Sequence, residues 1–344
     1  MLKDKEIGEV REFLDNSQNP IFLFDNDVDG LCSFLILRRA LDRGRGVPIK
    51  SFPALTEQYT RKIEEFGSDA VVILDKAEIT EEFVDAVEEL GIPMIWIDHH
   101  LSDSAEKLKD RVKLYSTHPE GEPTTYIAQN IFSRQEDEWL ALVGCIGDVF
   151  KPDFMKRVEM KYPEIVDSRL SAFEALHSSE IGRIVRMLNF GLMDTTTNVV
   201  TLIKYMFNAR APHDLLEENP KTRQLHHRYS ELNDIYERQV KKAVSEVDES
   251  SDVLLFSYSG HVSMSSEIAN KLYFLYPKKM VIVAFKKPEK TNISIRGKGA
   301  LDLTKKIVAE VEGAMGGGHE EATGAMVPVD KWDEFVDLIQ GPCV

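Results

Sequence analysis

Three short apolar segments of the sequence each end in an aspartate. The segments IFLFD, VVILD and MIWID end at Asp25, Asp75 and Asp98. Runs this short and this uniformly apolar are typical of strands buried on both faces of a parallel sheet, with helices above and below. Because such sheets bind ligands at the carboxyl ends of their strands, the pattern predicts an acidic site at one sheet edge.

The spacing of apolar residues predicts three regions along the 344-residue chain. Residues 1–150 alternate short strands with amphipathic helices, which predicts an α/β domain with a parallel sheet and flanking helices. Residues 151–250 have a helical pattern and end in a long polar helix that is expected to link two domains. Residues 251–344 return to strands and helices and predict a smaller mixed α/β domain. The predicted strands of the first region are 21–24, 47–52, 70–74 and 93–97, and its predicted helices include 31–41 and 80–90.

Composition excludes several classes of protein. The net charge of −16 argues against a protein that coats nucleic acid through an overall basic charge. No apolar run reaches the roughly 18 residues of a membrane helix, and the acidic first residues do not resemble a signal peptide. Three widely spaced cysteines exclude a cysteine-built zinc site and favour a cytoplasmic location. Residues 271–306 contain ten Lys or Arg and two acids, which indicates either a track for a polyanion or an ordinary solvated surface.

The first acidic motif, Asp25-Asn-Asp27-Val-Asp29-Gly30, lies between a predicted strand and a predicted helix. Three carboxylates this close together repel one another unless a cation binds among them. Glycine at position 30 is expected to let the chain turn tightly into a helix that begins at the next residue. The spacing also resembles a calcium-binding EF-hand loop. Such a loop follows a helix, however, and needs a glutamate where Ile36 stands in this sequence.

Two further motifs contain candidate ligands. Asp98-His99-His100 follows a predicted strand, in which neighbouring side chains point to opposite sides. One histidine is therefore expected to bind a metal ion and the other to face the substrate. The segment Gly144-Cys-Ile-Gly-Asp148 joins small residues, which permit close backbone approach, to a carboxylate. Taken alone, a histidine pair is more often structural, and Asp148 is as readily explained as a helix cap.

Together the motifs offer carboxylate and imidazole ligands and no thiolate. This set of donors suits Mn²⁺ or Mg²⁺ better than a structural Zn²⁺. The aspartates outnumber what one divalent ion needs, which predicts two metal ions in one active site. Because paired divalent ions commonly serve phosphoester hydrolysis, the sequence predicts a phosphoesterase.

A glycine cluster near the C-terminus, Gly316-Gly317-Gly318-His319, is a candidate phosphate-binding segment. Placed before a predicted short helix, its backbone N–H groups could bind an anion, with the His319 side chain as a further donor. Arg296, in the segment NISIRGKG, can donate two hydrogen bonds to a phosphate, and Lys298 lies beside it in the basic segment. A flexible turn is the alternative explanation of the glycines.

These motifs, in this order, resemble those of the DHH phosphoesterase superfamily. DNDVDG resembles its first motif, Asp75 its second, Asp98-His99-His100 its third and GCIGD its fourth. The C-terminal GGGHEEATG resembles the glycine–histidine motif of the DHHA1 domain. The aspartate-rich first motif is similar to that of the RecJ-like exonucleases, and the chain length resembles their short archaeal members. Lys76 departs from the small residue often found at its position, and it could pair with the acidic cluster or contact substrate.

The resemblance implies a role for each candidate residue. Asp25 and Asp27 would bind one Mn²⁺, and Asp75 would bridge the two ions. The further ligands of the second ion would be Asp29, His99 and Asp148. Asp98 would orient the histidines, and His100 would contact the scissile phosphate or assist the leaving group. The residues that would hold substrate from the second domain are Arg296, Lys298, Gly317, Gly318 and His319.

The function expected from the resemblance is exonucleolytic hydrolysis of single-stranded DNA or RNA with two Mn²⁺ ions, Mg²⁺ being the alternative ion. One alternative is a phosphodiesterase for small substrates, namely nanoRNA, cyclic dinucleotides or phosphoadenosine phosphate. Another is a Cdc45-like replication or repair scaffold, against which the complete set of ligands argues. Self-association and a replication or repair protein partner stay open, and no membrane partner is expected.

Overall fold

The computed structural model of the chain describes residues 1–51, 54–100 and 102–340, without the side chains of Asp103, His319 and Gln340. The chain divides into two compact units, Met1–Tyr229 and Ser230–Val344. Helices from residues 151–219 belong to the first unit because their apolar faces, including Ile184 and Leu188, pack into its core. Within the described residues, no helix is both long enough and apolar enough to cross a lipid bilayer.

The first unit is built on a five-stranded parallel sheet with the strand order β2-β1-β4-β6-β7. A separate parallel pair is formed by β3 and β5. The strands are β1 (Pro20–Asp25), β2 (Arg45–Ile49), β3 (Ala54–Leu55), β4 (Ala70–Leu74), β5 (Glu78–Ile79), β6 (Met94–Asp98) and β7 (Lys113–Ser116). The strand predicted over 47–52 begins and ends earlier, and its last predicted residue, Phe52, lies outside the described residues. Strand β7 was not predicted because it lies at the sheet edge and mixes polar with apolar residues.

Both faces of this sheet are buried, as the apolar strands predicted. Phe22 and Phe24 of β1 join one hydrophobic core, whereas Ile21 and Leu23 join a second core on the other face. Phe83 of the fourth helix packs into the second core. The prediction of a parallel-sheet domain covered by helices is therefore confirmed.

The first six helices of the first unit are interspersed with its strands, and the later ones follow one another without a strand between them. The helices are α1 (Asp4–Asn16), α2 (Val28–Leu41), α3 (Thr60–Phe66), α4 (Glu81–Glu89), α5 (Asp103–Leu108), α6 (Thr124–Phe132), α7 (Glu138–Gly147), α8 (Met155–Lys161), α9 (Ala172–Ser178), α10 (Glu180–Leu192), α11 (Thr196–Met206) and α12 (His213–Leu216). Two 3₁₀ turns cover Glu57–Tyr59 and Gln135–Asp137. Helix α13 (Arg223–Ser245) contains the point at which the two units divide.

The second unit has a mixed five-stranded sheet with the strand order β11-β12-β10-β9-β8. Its strands are β8 (Val253–Ser259), β9 (Met280–Lys286), β10 (Lys290–Arg296), β11 (Met315–His319) and β12 (Ala322–Pro328). Its helices are α14 (Ser265–Leu275), α15 (Ala300–Glu310) and α16 (Trp332–Gln340), with a 3₁₀ turn at Val329–Lys331. Strands β8 and β9 are parallel and the other neighbours are antiparallel, so the predicted mixed α/β domain is confirmed.

The glycine cluster does not precede a short helix, contrary to the sequence-based expectation. It forms the edge strand β11, which pairs with β12 in the antiparallel register Gly317–Gly324. A Cβ atom at Gly316 would lie 2.8 Å from the backbone oxygen of Gly324 and 2.8 Å from Thr304 Cγ2. Glycine is therefore needed at this position because the neighbouring strand and α15 approach the backbone closely.

A buried ion-pair network joins α2 to the residues before α7. The Asp137 carboxylate, 2 % exposed, lies 2.7 Å from Arg39 Nη1 and 3.0 Å from Arg134 Nε. Arg39 Nη2 also donates to the backbone carbonyls of Met206 and Ala209. Removing the carboxylate would leave the buried guanidinium group of Arg39 without its counter-charge.

We expect Asp137→Ala to lower the free energy of unfolding by about 3–5 kcal/mol, the usual loss when one partner of a buried ion pair is removed. The matched control is Glu136→Ala, because Glu136 also pairs with Arg134, at 2.8 Å, but is 60 % exposed. The control should cost at most about 1 kcal/mol. Urea unfolding of both variants measures the difference, and equal losses would contradict this account of the network.

Candidate metal centre

Three aspartates meet at one edge of the parallel sheet. Asp25 is the last residue of β1, Asp98 is the last residue of β6, and Asp75 directly follows β4. Strand β4 lies between the other two, and Leu74 is in register with both Phe24 and Ile97. The three strand ends are therefore neighbours, and their carboxylates are brought to the same edge, where the sequence predicted an acidic site.

The imidazole of His99 lies among three carboxylates. Its Nε2 atom is 3.1 Å from Asp148 Oδ2, 3.5 Å from Asp75 Oδ1 and 3.9 Å from Asp29 Oδ2. Two overlapping groups of potential ligands result, Asp75–His99–His100 and Asp29–His99–Asp148, with the ligand atoms of each within 4.8 Å of one another. Of the predicted metal ligands, Asp25 and Asp27 belong to neither group.

The first turn of α2 positions the residues of the DNDVDG motif. Asp27 is the N-cap of α2, and its Oδ1 atom accepts a hydrogen bond of 2.9 Å from the backbone N–H of Gly30. The helix begins at Val28, earlier than expected, so Gly30 lies inside it and does not form the turn. A Cβ atom at Gly30 would lie only 2.4 Å from the backbone oxygen of Asp25, which is the physical reason for glycine there.

The N-terminus of α6 holds the buried carboxylate of Asp29. Its two oxygens accept hydrogen bonds of 2.8 Å each from the backbone N–H groups of Thr124 and Thr125. The Thr124 hydroxyl lies within hydrogen-bond distance of Asp75 Oδ1, at 3.2 Å. Negative charge is favourable at a helix N-terminus, so α6 positions Asp29 and offsets part of the cost of burying its carboxylate. Sequence reasoning missed both threonines; the signal was Pro123 followed by two threonines and an apolar run, which is typical of a helix start.

The GCIGD segment brings Asp148 to the site from the end of α7. The helix ends at Gly147, and Asp148 is its C-cap. A Cβ atom at Gly144 would lie 2.3 Å from Thr125 Oγ1, so α7 and the start of α6 are in close contact there. The expectation that small residues allow close approach holds at Gly144, and Asp148 is both a cap and a candidate ligand.

The two neighbouring histidines do not point to opposite sides. Strand β6 ends at Asp98 and His100 lies in a bend, so the alternation of an extended strand no longer applies. The two rings lie 4.3 Å apart between centroids. Asp98 accepts two hydrogen bonds from His100, from Nδ1 at 2.9 Å and from the backbone N–H at 3.1 Å. Asp98 therefore orients the ring of His100.

Three carboxyl groups of the centre, those of Asp27, Asp29 and Asp75, are harder to ionise than usual, because their pKa values are raised. Burial, together with the charges of Asp25 and Asp148, raises the pKa of Asp27 to about 7. Burial and the charge of Asp148 likewise raise the pKa of Asp29 to about 6, and the pKa of Asp75 also lies well above its usual value. A cation among these oxygens would relieve the repulsion.

The pKa of His99 is shifted by two opposing effects. Burial lowers it, but hydrogen bonds to Asp148 and Asp75 outweigh this effect and raise the pKa to about 12. The same cluster of carboxylates thus stabilises a positive charge at its centre. Oxygen and imidazole ligands that favour positive charge fit Mn²⁺ or Mg²⁺, as expected from the sequence.

We expect the metal-free protein to lose stability as the pH rises from about 5 to about 8. Asp27 and Asp29 have pKa values above those of the unfolded chain, so the folded state binds more protons and loses stability as the pH rises. His99, whose pKa is also raised, continues the loss above the pKa of an unfolded histidine. Because metal ligands must be deprotonated, Mn²⁺ should raise the Tm more at about pH 8 than at about pH 5.

Thermal unfolding with EDTA and with Mn²⁺ across this range measures both effects. The Asp27→Asn variant serves as the control, because it removes one of the shifted carboxyl groups and should show a weaker pH dependence. A Tm of the EDTA-treated protein that rises with pH, or an equal Mn²⁺ effect at both ends of the range, would contradict the account.

The predicted substrate-binding residues all lie in the second unit. Arg296 is largely occupied by the protein itself: its guanidinium donates to Asn270 Oδ1 at 2.5 Å, to Ser266 Oγ at 2.7 Å and to the Thr323 carbonyl at 3.1 Å. Burial lowers its pKa to about 10, against the opposing charge of Glu267. The guanidinium therefore keeps little free hydrogen-bonding capacity for a substrate.

Other members of this set are more accessible. The side chain of Lys298 is exposed, and so are Gly317 and Gly318 in the edge strand β11. Among the described residues, and leaving out Gly317 and its two chain neighbours, no heavy atom lies within 4 Å of the place where a Cβ atom at Gly317 would stand. His319 ends β11, and its side chain lies outside the described residues. The backbone of β11 and Lys298 thus form the open part of the predicted phosphate-binding segment.

Family models and solved structures agree on the class of fold. The model of the DHH family, N-terminal domain, matches residues 21–145, and the model of the DHHA1 domain matches residues 239–342. No curated protein matches the chain. The first model spans nearly all of the parallel sheet of the first unit, and the second spans the mixed sheet of the second unit.

Three solved structures share the fold at low sequence identity. RecJ from Thermus thermophilus in complex with Mn²⁺ has a TM-score of 0.68 and 15 % identity over 97 % of this chain and 53 % of its own. An exonuclease RecJ bound to manganese has a TM-score of 0.64 and 17 % identity over 99 % and 94 %. Cdc45 from Entamoeba histolytica has a TM-score of 0.54 and 10 % identity over 97 % and 98 %. The chain thus spans about half the length of the Thermus RecJ.

The order of domains and the residues at the sheet edge lead to one family. The DHH model ends within the GCIGD segment, so it includes the first three motifs that meet around His99. The DHHA1 model includes Arg296 and the glycine strand β11. The chain therefore belongs to the DHH family of phosphoesterases and carries a DHH domain followed by a DHHA1 domain.

Proposed function

We propose that this chain is a metal-dependent exonuclease that hydrolyses single-stranded DNA or RNA with two divalent ions, Mn²⁺ or Mg²⁺, in one active site. The observation that carries the proposal is the pair of ligand groups that share His99. RecJ structures of similar fold contain Mn²⁺ or Mg²⁺, which supports the choice of ions. The match to the exonuclease RecJ bound to manganese covers 99 % of this chain and 94 % of that one, which supports a RecJ-like order of domains along the chain.

We assign the ligands of one ion by a group that the fold brings together, and those of the other by the resemblance of the DNDVDG motif. Asp29, His99 and Asp148 would hold one ion, and Asp75 would lie between that ion and a second one near Asp25 and Asp27. When bound, such ions polarise the phosphate and activate water. Thr124 and Thr125 keep Asp29 in place through α6, so this ligand needs no reorganisation when an ion arrives.

The residue assigned to proton transfer is His100. Its Nδ1 atom is engaged by Asp98, and we assign Nε2 as the nitrogen that donates a proton to the leaving oxygen. Burial lowers the pKa of His100, but the hydrogen bond to Asp98 outweighs this effect, so the pKa is raised overall. A protonated imidazole suits both contact with a phosphate and protonation of the leaving group.

In the second unit, we propose that Lys298 and the exposed backbone of Gly317 and Gly318 bind the phosphates of the substrate. Strand β11 is an edge strand, so one side of its backbone has no neighbouring strand among the described residues. Backbone N–H groups in such a position can bind anions. Arg296 would act mainly by holding Ser266 and Asn270 in place.

A substrate series tests the proposed function. Purified protein is incubated with Mn²⁺ and end-labelled single-stranded DNA and RNA, both long strands and di- to pentanucleotides, with EDTA and Asp75→Asn as controls. Stepwise shortening of long strands supports the exonuclease. Cleavage restricted to the shortest substrates would instead favour a small-substrate phosphodiesterase. No cleavage of either kind of substrate would instead favour a scaffold protein with the fold that this chain shares with Cdc45.

A further inference from the structure

Lys76 places a positive charge inside the acidic centre. It follows Asp75, whose backbone adopts the left-handed conformation with a φ of 56°. The Lys76 side chain is only 3 % exposed, and its Nζ atom lies 3.1 Å from Asp25 Oδ1. Nζ also donates a hydrogen bond of 3.0 Å to the backbone carbonyl of Ser51. The ammonium group is therefore held in the site by two contacts and is nearly inaccessible to solvent.

The backbone around Lys76 is anchored as well. Its carbonyl accepts a hydrogen bond of 2.9 Å from Nε1 of Trp96, a fully buried residue of β6. Since Lys76 follows β4 and Trp96 lies on the neighbouring strand, this bond fixes where the lysine leaves the sheet. A withdrawal of the side chain into solvent would need this buried segment to move.

The ion pair makes the two sides of the centre unequal. On the side around His99 lie the carboxylates of Asp29, Asp75 and Asp148. On the other side, the charge of Asp25 is already balanced by the ammonium group of Lys76. A divalent ion that binds Asp25 must either displace the ammonium group or bind beside it, and both are unfavourable because like charges repel at short range.

We propose that Lys76 is a resident cation that competes with the second divalent ion for Asp25, so that the centre binds one ion tightly near His99 and the other weakly near Asp25. This inference rests on the proposed two-ion site. It predicts that the occupancy of the weaker position depends on the metal concentration. In this scheme Lys76 acts through its contact with Asp25 and does not itself bind a metal ion.

The experiment is a titration of the metal-free protein with Mn²⁺, in which free Mn²⁺ is measured by electron paramagnetic resonance. The wild-type chain is expected to show one tight and one weak class of sites. Lys76→Met removes the charge at similar length and should tighten the weak class by about tenfold or more. Lys76→Arg keeps the charge and should leave the two classes unequal. Asp25→Asn should remove the weak class.

Lys76→Gln provides a second neutral variant, whose amide keeps a hydrogen-bond donor on the side chain that contacts the Ser51 carbonyl. Asp25 is itself 35 % exposed, so water can solvate its carboxylate when the ammonium group is gone. A weak class with the same affinity in wild type, Lys76→Met and Lys76→Gln would overturn the inference about Lys76. An absence of any Mn²⁺ binding in the wild type would instead overturn the proposed two-ion function.

Discussion

Replacing Asp75 with asparagine is expected to lower kcat by more than about a thousandfold, the loss of roughly 4 kcal/mol of transition-state stabilisation. Asp75 is 2 % exposed, and its Oδ1 atom lies 3.5 Å from His99 Nε2 and 3.9 Å from His100 Nδ1. Asparagine keeps the size of the side chain but removes the charge that Asp75 contributes to the ligand group it forms with His99 and His100. Because the pKa of Asp75 is raised by burial and like charges, a neutral residue there should not lower stability.

Steady-state kinetics on a single-stranded oligonucleotide, with thermal unfolding of the same samples, measures both quantities. The matched control is Asp85→Asn, an exposed aspartate of the same unit that pairs with Arg111 at the surface. It should leave kcat unchanged. Activity in Asp75→Asn within about tenfold of the wild type would remove Asp75 from the centre, since tenfold is only about 1.4 kcal/mol.

The second large effect is expected from Gly144→Ala. The added Cβ atom would lie 2.3 Å from Oγ1 and 2.7 Å from Cβ of Thr125, so α7 must move away from the start of α6. That start holds Asp29, and the end of α7 carries Asp148. Overpacking of this kind costs about 1–3 kcal/mol or more of stability. A shift of about 1 Å at the ligands should also lower kcat/KM by about a hundredfold.

Gly147→Ala is the matched control, because it lies on the same helix, three residues further along. Its added Cβ atom would lie 3.4 Å from Val28 Cβ, an ordinary van der Waals distance. This control should keep nearly wild-type stability and kcat/KM. Urea unfolding and kinetics of the two variants separate the outcomes, and indistinguishable variants would show that the contact between Gly144 and Thr125 does not position the centre.

The sheet and its acidic edge were predictable because they depend on local patterns. The apolar runs before Asp25, Asp75 and Asp98 indicated strands with two buried faces, and the rule for parallel sheets placed the three carboxylates at one edge. The structure agrees, with β4 between β1 and β6. Short apolar runs in the sequence are enough for this inference, since it needs no knowledge of distant contacts.

The support of the ligands could not be predicted because it comes from contacts distant in sequence. Thr124 and Thr125 bind Asp29, which precedes them by 95 and 96 residues. Their role depends on how α6 packs against α2, and no local pattern encodes that packing. The sequence left two alternatives for Lys76, pairing with the acidic cluster or contact with substrate. In the structure, Lys76 pairs with Asp25 of that cluster.

Local rules also failed where an element ended earlier or later than expected. The histidine pair was interpreted as part of an extended strand, but β6 ends at Asp98, so the two rings lie within 4.3 Å of each other. The glycine cluster was interpreted as a segment that precedes a short helix. Pairing with β12 makes it a strand instead, and such pairing across a hairpin overrides the weak local preference of glycine.

The central claim, that the centre around His99 hydrolyses phosphodiesters with divalent ions, is tested most directly by removing and returning the metal. Wild-type protein and Asp75→Asn are treated with EDTA, dialysed, and assayed on labelled single-stranded DNA and RNA before and after Mn²⁺ or Mg²⁺ is added. The account predicts that EDTA abolishes hydrolysis, that the returned ion restores it in the wild type, and that Asp75→Asn stays inactive. Hydrolysis that persists without divalent ions, or that returns equally in Asp75→Asn, would contradict it.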